Sequence, residues 1–205
     1  NDVLTLTGGA NCGTLSTANT TYTLASNVSS SGTCFIISAN NITLNCNNFW
    51  VNYSINGTDN QYGVYTNQFN TTIKNCNIVD GNWSSGTGTH RYGIYFNSAN
   101  NSILLNNSVN VSNSNAIYIY NGANFNNLTL NRATVNFASI DGIYIYSSLG
   151  NNLVNNTGTT SGDGCGIHLS FSTNNTLTSN TGTSLGNGNG ICFYAYSNNN
   201  TLTSN

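Results

Sequence analysis

The sequence predicts an all-β solenoid of about seven stacked coils. Three observations carry that prediction. A phrase of the form Gly-Ile-Tyr recurs every 23 to 30 residues, an Asn recurs at nearly the same interval, and no stretch shows helical periodicity. Units this short cannot bury an apolar side alone, so each must stack on its neighbours.

The phrase is anchored at Gly63, Gly93, Ala116, Gly142, Gly166 and Gly190, at spacings of 30, 23, 26, 24 and 24 residues. Val64, Ile94, Ile117, Ile143, Ile167 and Ile191 follow directly. Thr66, Phe96, Ile119, Ile145, Leu169 and Phe193 come two residues later, with Tyr65, Tyr95, Tyr118, Tyr144, His168 and Cys192 between. That alternation of period two is the pattern of a strand with one buried face. The intervening Tyr column therefore points outward, extended by Tyr120, Tyr146 and Tyr194. An outward aromatic stripe suits a sugar or a partner surface, and it equally suits a stack that stabilises the sheet.

A second column is Asn45, Asn75, Asn106, Asn131, Asn156, Asn180 and Asn205. An aliphatic residue stands three positions before most of them (Ile42, Ile103, Leu128, Leu153, Leu177, Leu202), so each Asn is read as the bend that ends a strand. A weaker apolar patch follows in the early copies, around Phe49, Val51, Ile78, Val109, Val111, Val135 and Phe137, and later copies replace it with Gly, Ser and Thr. Stacked strands lie about 4.8 Å apart, so seven coils give a rod of about 34 Å. All seven Asn are expected to form one inward ladder, since a carboxamide both donates and accepts.

These residues resemble the right-handed parallel β-helix proteins related to pectate lyases, and most closely surface proteins with NosD-type repeats. The stretch from Cys12 to Asn47 is similar to the first coil of such proteins. The length fits a single domain over 1–205, with 1–47 as the first coil, as the resemblance implies, and 48–205 as repeating coils of about 24–30 residues. It leaves activity open, because the fold carries enzymes, adhesins and scaffolds alike. For some relatives it implies a copper-related role, which the absence of Met and of any His cluster here does not support.

The chain has 205 residues, of which 4% are charged; its net charge is −2, and it holds 44 Asn with no Glu, Pro or Met. That charge offers no footprint for nucleic acid, and no apolar run is long enough to span a bilayer. The missing initiator Met points to a processed chain or a fragment. Sequons begin at Asn19, Asn27, Asn41, Asn52, Asn56, Asn70, Asn82, Asn100, Asn106, Asn110, Asn127, Asn155, Asn174 and Asn199. N-glycans on them would solvate a surface short of charge, although an Asn-, Ser- and Thr-rich chain also generates such triplets by composition alone. Asn70, Asn100, Asn127, Asn174 and Asn199 are expected along one exposed edge. Asn106, read as a ladder residue, is expected to stay bare. Six Cys fit an extracellular or cell-surface setting. Cys12 and Cys34 bracket the first coil, and Cys46 and Cys76 stack on consecutive coils within disulfide range. Cys165 and Cys192 lie one coil apart but three residues out of register, a poorer geometry for a bond.

Catalytic chemistry has few residues to draw on. Asp141 and Asp163 fall near the anchor Gly of adjacent coils, about 5 to 10 Å apart, a spacing that carboxylate catalysis can use. Asp before Gly is also a common turn choice, and Arg132 falls on another edge. His90 and Arg91, in GTGTHRYG, read as loop and surface positions. Two His without a Cys-x-x-Cys pattern define no metal site, so no cofactor is expected beyond covalent glycans. The sequence reading is a non-enzymatic, N-glycosylated extracellular structural protein or filament subunit that stacks end to end. The alternative is a carbohydrate-active lyase or hydrolase, or a glycan-binding adhesin module.

Overall fold

The computed structural model describes residues 2–6, 12–82, 90–137 and 139–205. The elements among these are 24 β-strands and no helix. They form three parallel sheets of nine, eight and seven strands, and each coil gives one strand to each sheet. The result is a right-handed parallel β-helix of about eight turns. The turn beyond the expected seven arises at the N-terminus, where Asp2–Leu6 pairs in parallel with Thr20–Leu24.

The Gly-Ile-Tyr strands stack in the expected register, Ile94 on Ile117, Ile143, Ile167 and Ile191. A second sheet stacks Leu4, Tyr22, Leu44, Ile73, Leu104, Leu128, Leu153, Leu177 and Leu202. The third stacks Val28, Val51, Ile78, Val109, Ala133, Gly158 and Gly182. Side-chain volume therefore shrinks along the third sheet, and the coil narrows with it. At Gly158 an added Cβ would lie 2.0 Å from the Gly166 carbonyl oxygen. Main chain meets main chain there, a contact that only glycine allows.

Buried Asn side chains join the coils. Asn107, Asn131, Asn156 and Asn180 form a ladder that ends on Asn205. Each Oδ1 from Asn131 onward accepts from the backbone N–H of the Asn one coil earlier at 2.8–3.1 Å and from its Nδ2 at 2.9–3.0 Å. The Nδ2 groups also donate to Ile73, Leu104, Leu128, Leu153 and Leu177 carbonyls. A second ladder, Asn126, Asn151, Asn175 and Asn200, bonds the next corner in the same way. Ser102 and Thr71 continue it toward the N-terminus.

The expected ladder is corrected at its first three members. Leu104, not Ile103, pairs inward with Leu128, so the inward position three residues on is Asn107. Asn75 and Asn106 occupy the preceding position, with φ of 54° and 53°. The left-handed backbone there turns their side chains outward, and Asn accepts it more readily than most residues. They join Asn45 in an outer strip, Asn106 to Asn75 at 2.9 Å and Asn75 to Asn45 at 3.3 Å. On those coils the inward place belongs to the Cys46–Cys76 disulfide, and the Cys76 N–H donates to Asn107 Oδ1 at 3.1 Å.

Two substitutions in adjacent positions separate the strips. Asn107→Ala strips the buried Cys76 N–H of its acceptor and should lower unfolding stability by about 3 kcal/mol. Asn106→Gly keeps the turn and should stay within about 0.5 kcal/mol. Gly158→Ala should cost about 2 kcal/mol by overpacking against Gly166. Denaturant unfolding of the three variants measures all of these.

Candidate functional site

The outward positions of the Gly-Ile-Tyr sheet bring Tyr65, Tyr95, Tyr118, Tyr144 and His168 into one column. Successive ring centroids are 5.5, 5.4, 5.2 and 4.5 Å apart, and Tyr118 lies nearly parallel to Tyr95 and Tyr144, at 11° and 5°. Tyr62 and Tyr92 stack along one flank at 6.0 Å, and Tyr120 and Tyr146 along the other at 5.6 Å. The face is three rings wide at its middle, and its flanks bury Tyr118. A recess of about 280 Å³ opens among Tyr62, His90, Tyr92, Tyr95, Tyr118 and Tyr120. Beside it, across His90 and Tyr92, a recess of about 330 Å³ is lined by Ser114, Asn115, Ile140 and Asp141.

Burial pushes the Tyr92 hydroxyl up to about 12, with smaller contributions from Tyr62, Tyr120 and Tyr144. Burial raises Tyr95 and Tyr118 further still, again with neighbouring phenols adding. The face is thus neutral, apolar in its ring surfaces and rimmed by hydroxyls.

The charged residues mostly serve turns. Arg91 is not on the surface: at 1% exposure it pairs with fully buried Asp80 at 3.2 Å. Its other donors reach Gly57 O, Asn82 O and Ser112 Oγ at 3.0–3.2 Å. That replaces the expected loop position, and the reason is the fixed fork of five donors, which ties two excursions to one coil. His90 is exposed, and residues 86–89 of the same excursion lie outside the described residues. Asp141 and Asp163 are held apart in role. Asp141 Oδ1 accepts from the Cys165 N–H at 2.7 Å and Oδ2 meets His168 Nδ1 at 2.9 Å. Asp163 Oδ1 accepts from the Asn187 N–H at 2.7 Å. No hydrogen bond joins the two carboxylates to each other. Arg132 is exposed at the start of a strand in the third sheet, away from both.

All six cysteines are bridged. Cys12–Cys34 and Cys46–Cys76 have Cα separations of 4.3 and 4.7 Å, and Cys165–Cys192, the pair out of register, spans 6.1 Å. Among the sequons, Asn19, Asn27, Asn41, Asn56, Asn70, Asn127, Asn174 and Asn199 are exposed, whereas Asn52, Asn82, Asn100 and Asn110 are half-buried. Asn70, Asn174 and Asn199 share the left-handed corner that precedes the second ladder; Asn100 falls one residue before that corner and Asn127 two after. Asn106 is exposed, as is Asn155, so the reason for expecting Asn106 to remain bare no longer holds. The sequence reading missed the second Asn ladder, the flanking tyrosines Tyr62 and Tyr92, and the Asp141–His168 pair. Only the first had a visible signal, the run of Asn151, Asn175 and Asn200 at coil spacing.

Stacked parallel coils, interior Asn ladders and an aromatic face define a parallel β-helix repeat protein. Residues 59–205 match the family described as "Periplasmic copper-binding protein (NosD)", and the chain belongs to that family. No curated protein matches. Among solved structures, the catalytic domain of a GH87 α-1,3-glucanase in complex with nigerose is similar at 11% identity and a TM-score of 0.39. The match covers 98% of this chain and 58% of that one. At that level the likeness says nothing about substrate. The copper in the family's description finds no soft sulfur donor in the oxidised chain: there is no Met and no cysteine is free. Copper(I) favours thiolate and thioether sulfur, so no step is derived through it. The disulfides mark a chain that matures outside a reducing compartment. Among the described residues no helix is long and apolar enough to cross a membrane.

Alkaline titration tests the tyrosine face. The folded pKa values lie above the ordinary 10.0, so this contribution to stability is whole below pH 10 and is lost as pH rises from 10 toward about 12. Near-UV phenolate absorbance should lag behind that of the denatured chain, and unfolding should set in across that window.

Proposed function

We propose that this chain is a non-enzymatic, N-glycosylated structural protein of the cell surface or an extracellular filament. The observation that carries this reading is the use of Asp80, Asp141 and Asp163. Each binds a side chain or a turn N–H of its own scaffold, and none is paired with another carboxylate. Glycoside hydrolysis by the usual route needs two converging carboxylates. The coils also present repeating faces, with Leu4 and Leu202 exposed at 46% and 47%. A further coil in the same register, from this chain or from a second copy, would cover either one. Glycans on the exposed corner sequons would project sideways and leave that stacking direction clear.

A second reading, glycan binding, is favoured by the neutral tyrosine face and its recess of about 280 Å³. Ring surfaces flanked by hydroxyls and amides suit an uncharged sugar chain.

Incubation with neutral and acidic polysaccharides separates the readings. The structural role expects no new reducing ends or unsaturated products, and identical behaviour from Asp141→Asn and Asp163→Asn. Turnover that either variant abolishes would overturn it. Retention on an immobilised neutral glycan, lost in Tyr95→Ala, would establish the second reading.

A further inference from the structure

At the His168 end of the aromatic column, Asp141, Cys165 and His168 converge, and one potential ligand atom from each lies within 4.8 Å of the others. Among the described residues no other group of three such donors does so. Cys165 is bonded to Cys192, which leaves the cluster without a thiolate. We propose that the Cys165–Cys192 disulfide masks a site for a divalent cation of the zinc class, opened when a dithiol reductant cleaves that bond.

The chemistry balances simply. The Sγ–Sγ bond breaks, and the dithiol is oxidised to its own disulfide as two electrons and two protons pass to the cysteine sulfurs. The cation then displaces the proton of Cys165. Thiolate, imidazole and carboxylate together form a donor set that zinc accepts. A fourth position remains for water or for Cys192, whose backbone lies beside His168 in the sheet register.

The geometry already approaches that of a site. His168 Nδ1 and Asp141 Oδ2 are 2.9 Å apart. Ligands on bonds of about 2.0–2.1 Å in a tetrahedron sit about 3.3 Å from each other, so the pair needs to open only slightly. Coordination through Nδ1 moves the imidazole proton to Nε2. That atom is buried and holds no other hydrogen bond, so the exchange breaks none there but leaves an unpaired donor that the metal bond must offset. Asp141 is oriented by the Cys165 N–H on Oδ1, the kind of outer contact that holds a ligating carboxylate in place. Asp141 also lines the recess of about 330 Å³, which gives the ion a route in.

The test uses the full chain. Cys192→Ser frees Cys165 and leaves the other two disulfides intact. Cobalt(II) titration of this variant should give thiolate-to-cobalt absorption saturating at one equivalent, and zinc should displace it. Oxidised wild type should give none. Wild type treated with a dithiol should gain the same spectrum, with reduction mapped to Cys165 and Cys192 by mass spectrometry. Adding His168→Ala or Asp141→Asn to Cys192→Ser should weaken zinc binding by about 1000-fold, beyond the roughly 10- to 100-fold that loss of an outer contact explains. Asn at 141 retains the acceptor for the Cys165 N–H, so that loss reports coordination and not folding. The proposal is overturned if both Cys192→Ser and reduced wild type lack the absorption, or if His168→Ala leaves it unchanged. If Cys192→Ser does not fold, reduced wild type alone decides.

Discussion

The structure depends on one interaction: a backbone N–H at a coil corner bonded to a side-chain acceptor one coil further on. At the two corners that carry the ladders the chain bends through a left-handed residue, and the amide of the residue that follows is bonded to the next coil. A buried amide without a partner costs about 1–3 kcal/mol, and an apolar neighbour offers none. Asn meets the need because one carboxamide accepts from the previous coil and donates back to it. Ser at Ser102 and Ser172 serves the same amide with less reach, its oxygen accepting from Thr71 or Ser148 N–H. The abundance of Asn is thus a demand of the interior as well as a property of the surface.

That demand also governs the core. Inward positions near the N-terminus hold Tyr53, Phe35 and Ile78, and the early coils are stapled by two disulfides and by the buried Asp80–Arg91 pair. Further along, Gly158 and Gly182 bring two sheets to main-chain contact. Wide coils are stabilised chiefly by apolar area, narrow ones by hydrogen bonds, close approach and the Cys165–Cys192 link. The aromatic face lies over the wide and middle coils, where longer excursions carry Tyr62 and Tyr92 up beside it.

The fold was legible because strand periodicity and coil spacing are both one-dimensional. The Gly-Ile-Tyr register appears in the structure residue for residue, since alternation fixes which side chain points in. The Asn column misled at Asn106 because Asn106 and Asn107 occupy the outward and inward positions of one corner, and at Asn45 and Asn75 because the inward place there belongs to Cys46 and Cys76. A shift of one residue is invisible when Asn106 and Asn107 look alike. Arg91 was illegible for another reason: burying a guanidinium needs acceptors from Gly57, Asp80, Asn82 and Ser112, which no local pattern assembles. The Asp141–His168 pair likewise depends on two coils being in register at their edges.

The ladder also has a direction. Asn131 Oδ1 serves Asn107, Asn156 serves Asn131, and Asn180 serves Asn156, so acceptors always arrive from the C-terminal side. A coil's corner amide is therefore unsatisfied until the following coil is laid down. For a chain that leaves the ribosome or crosses a membrane N-terminus first, completed rungs trail behind a single unfinished one. The rod is zipped in the order in which it is made, and the unfinished rung is always the newest.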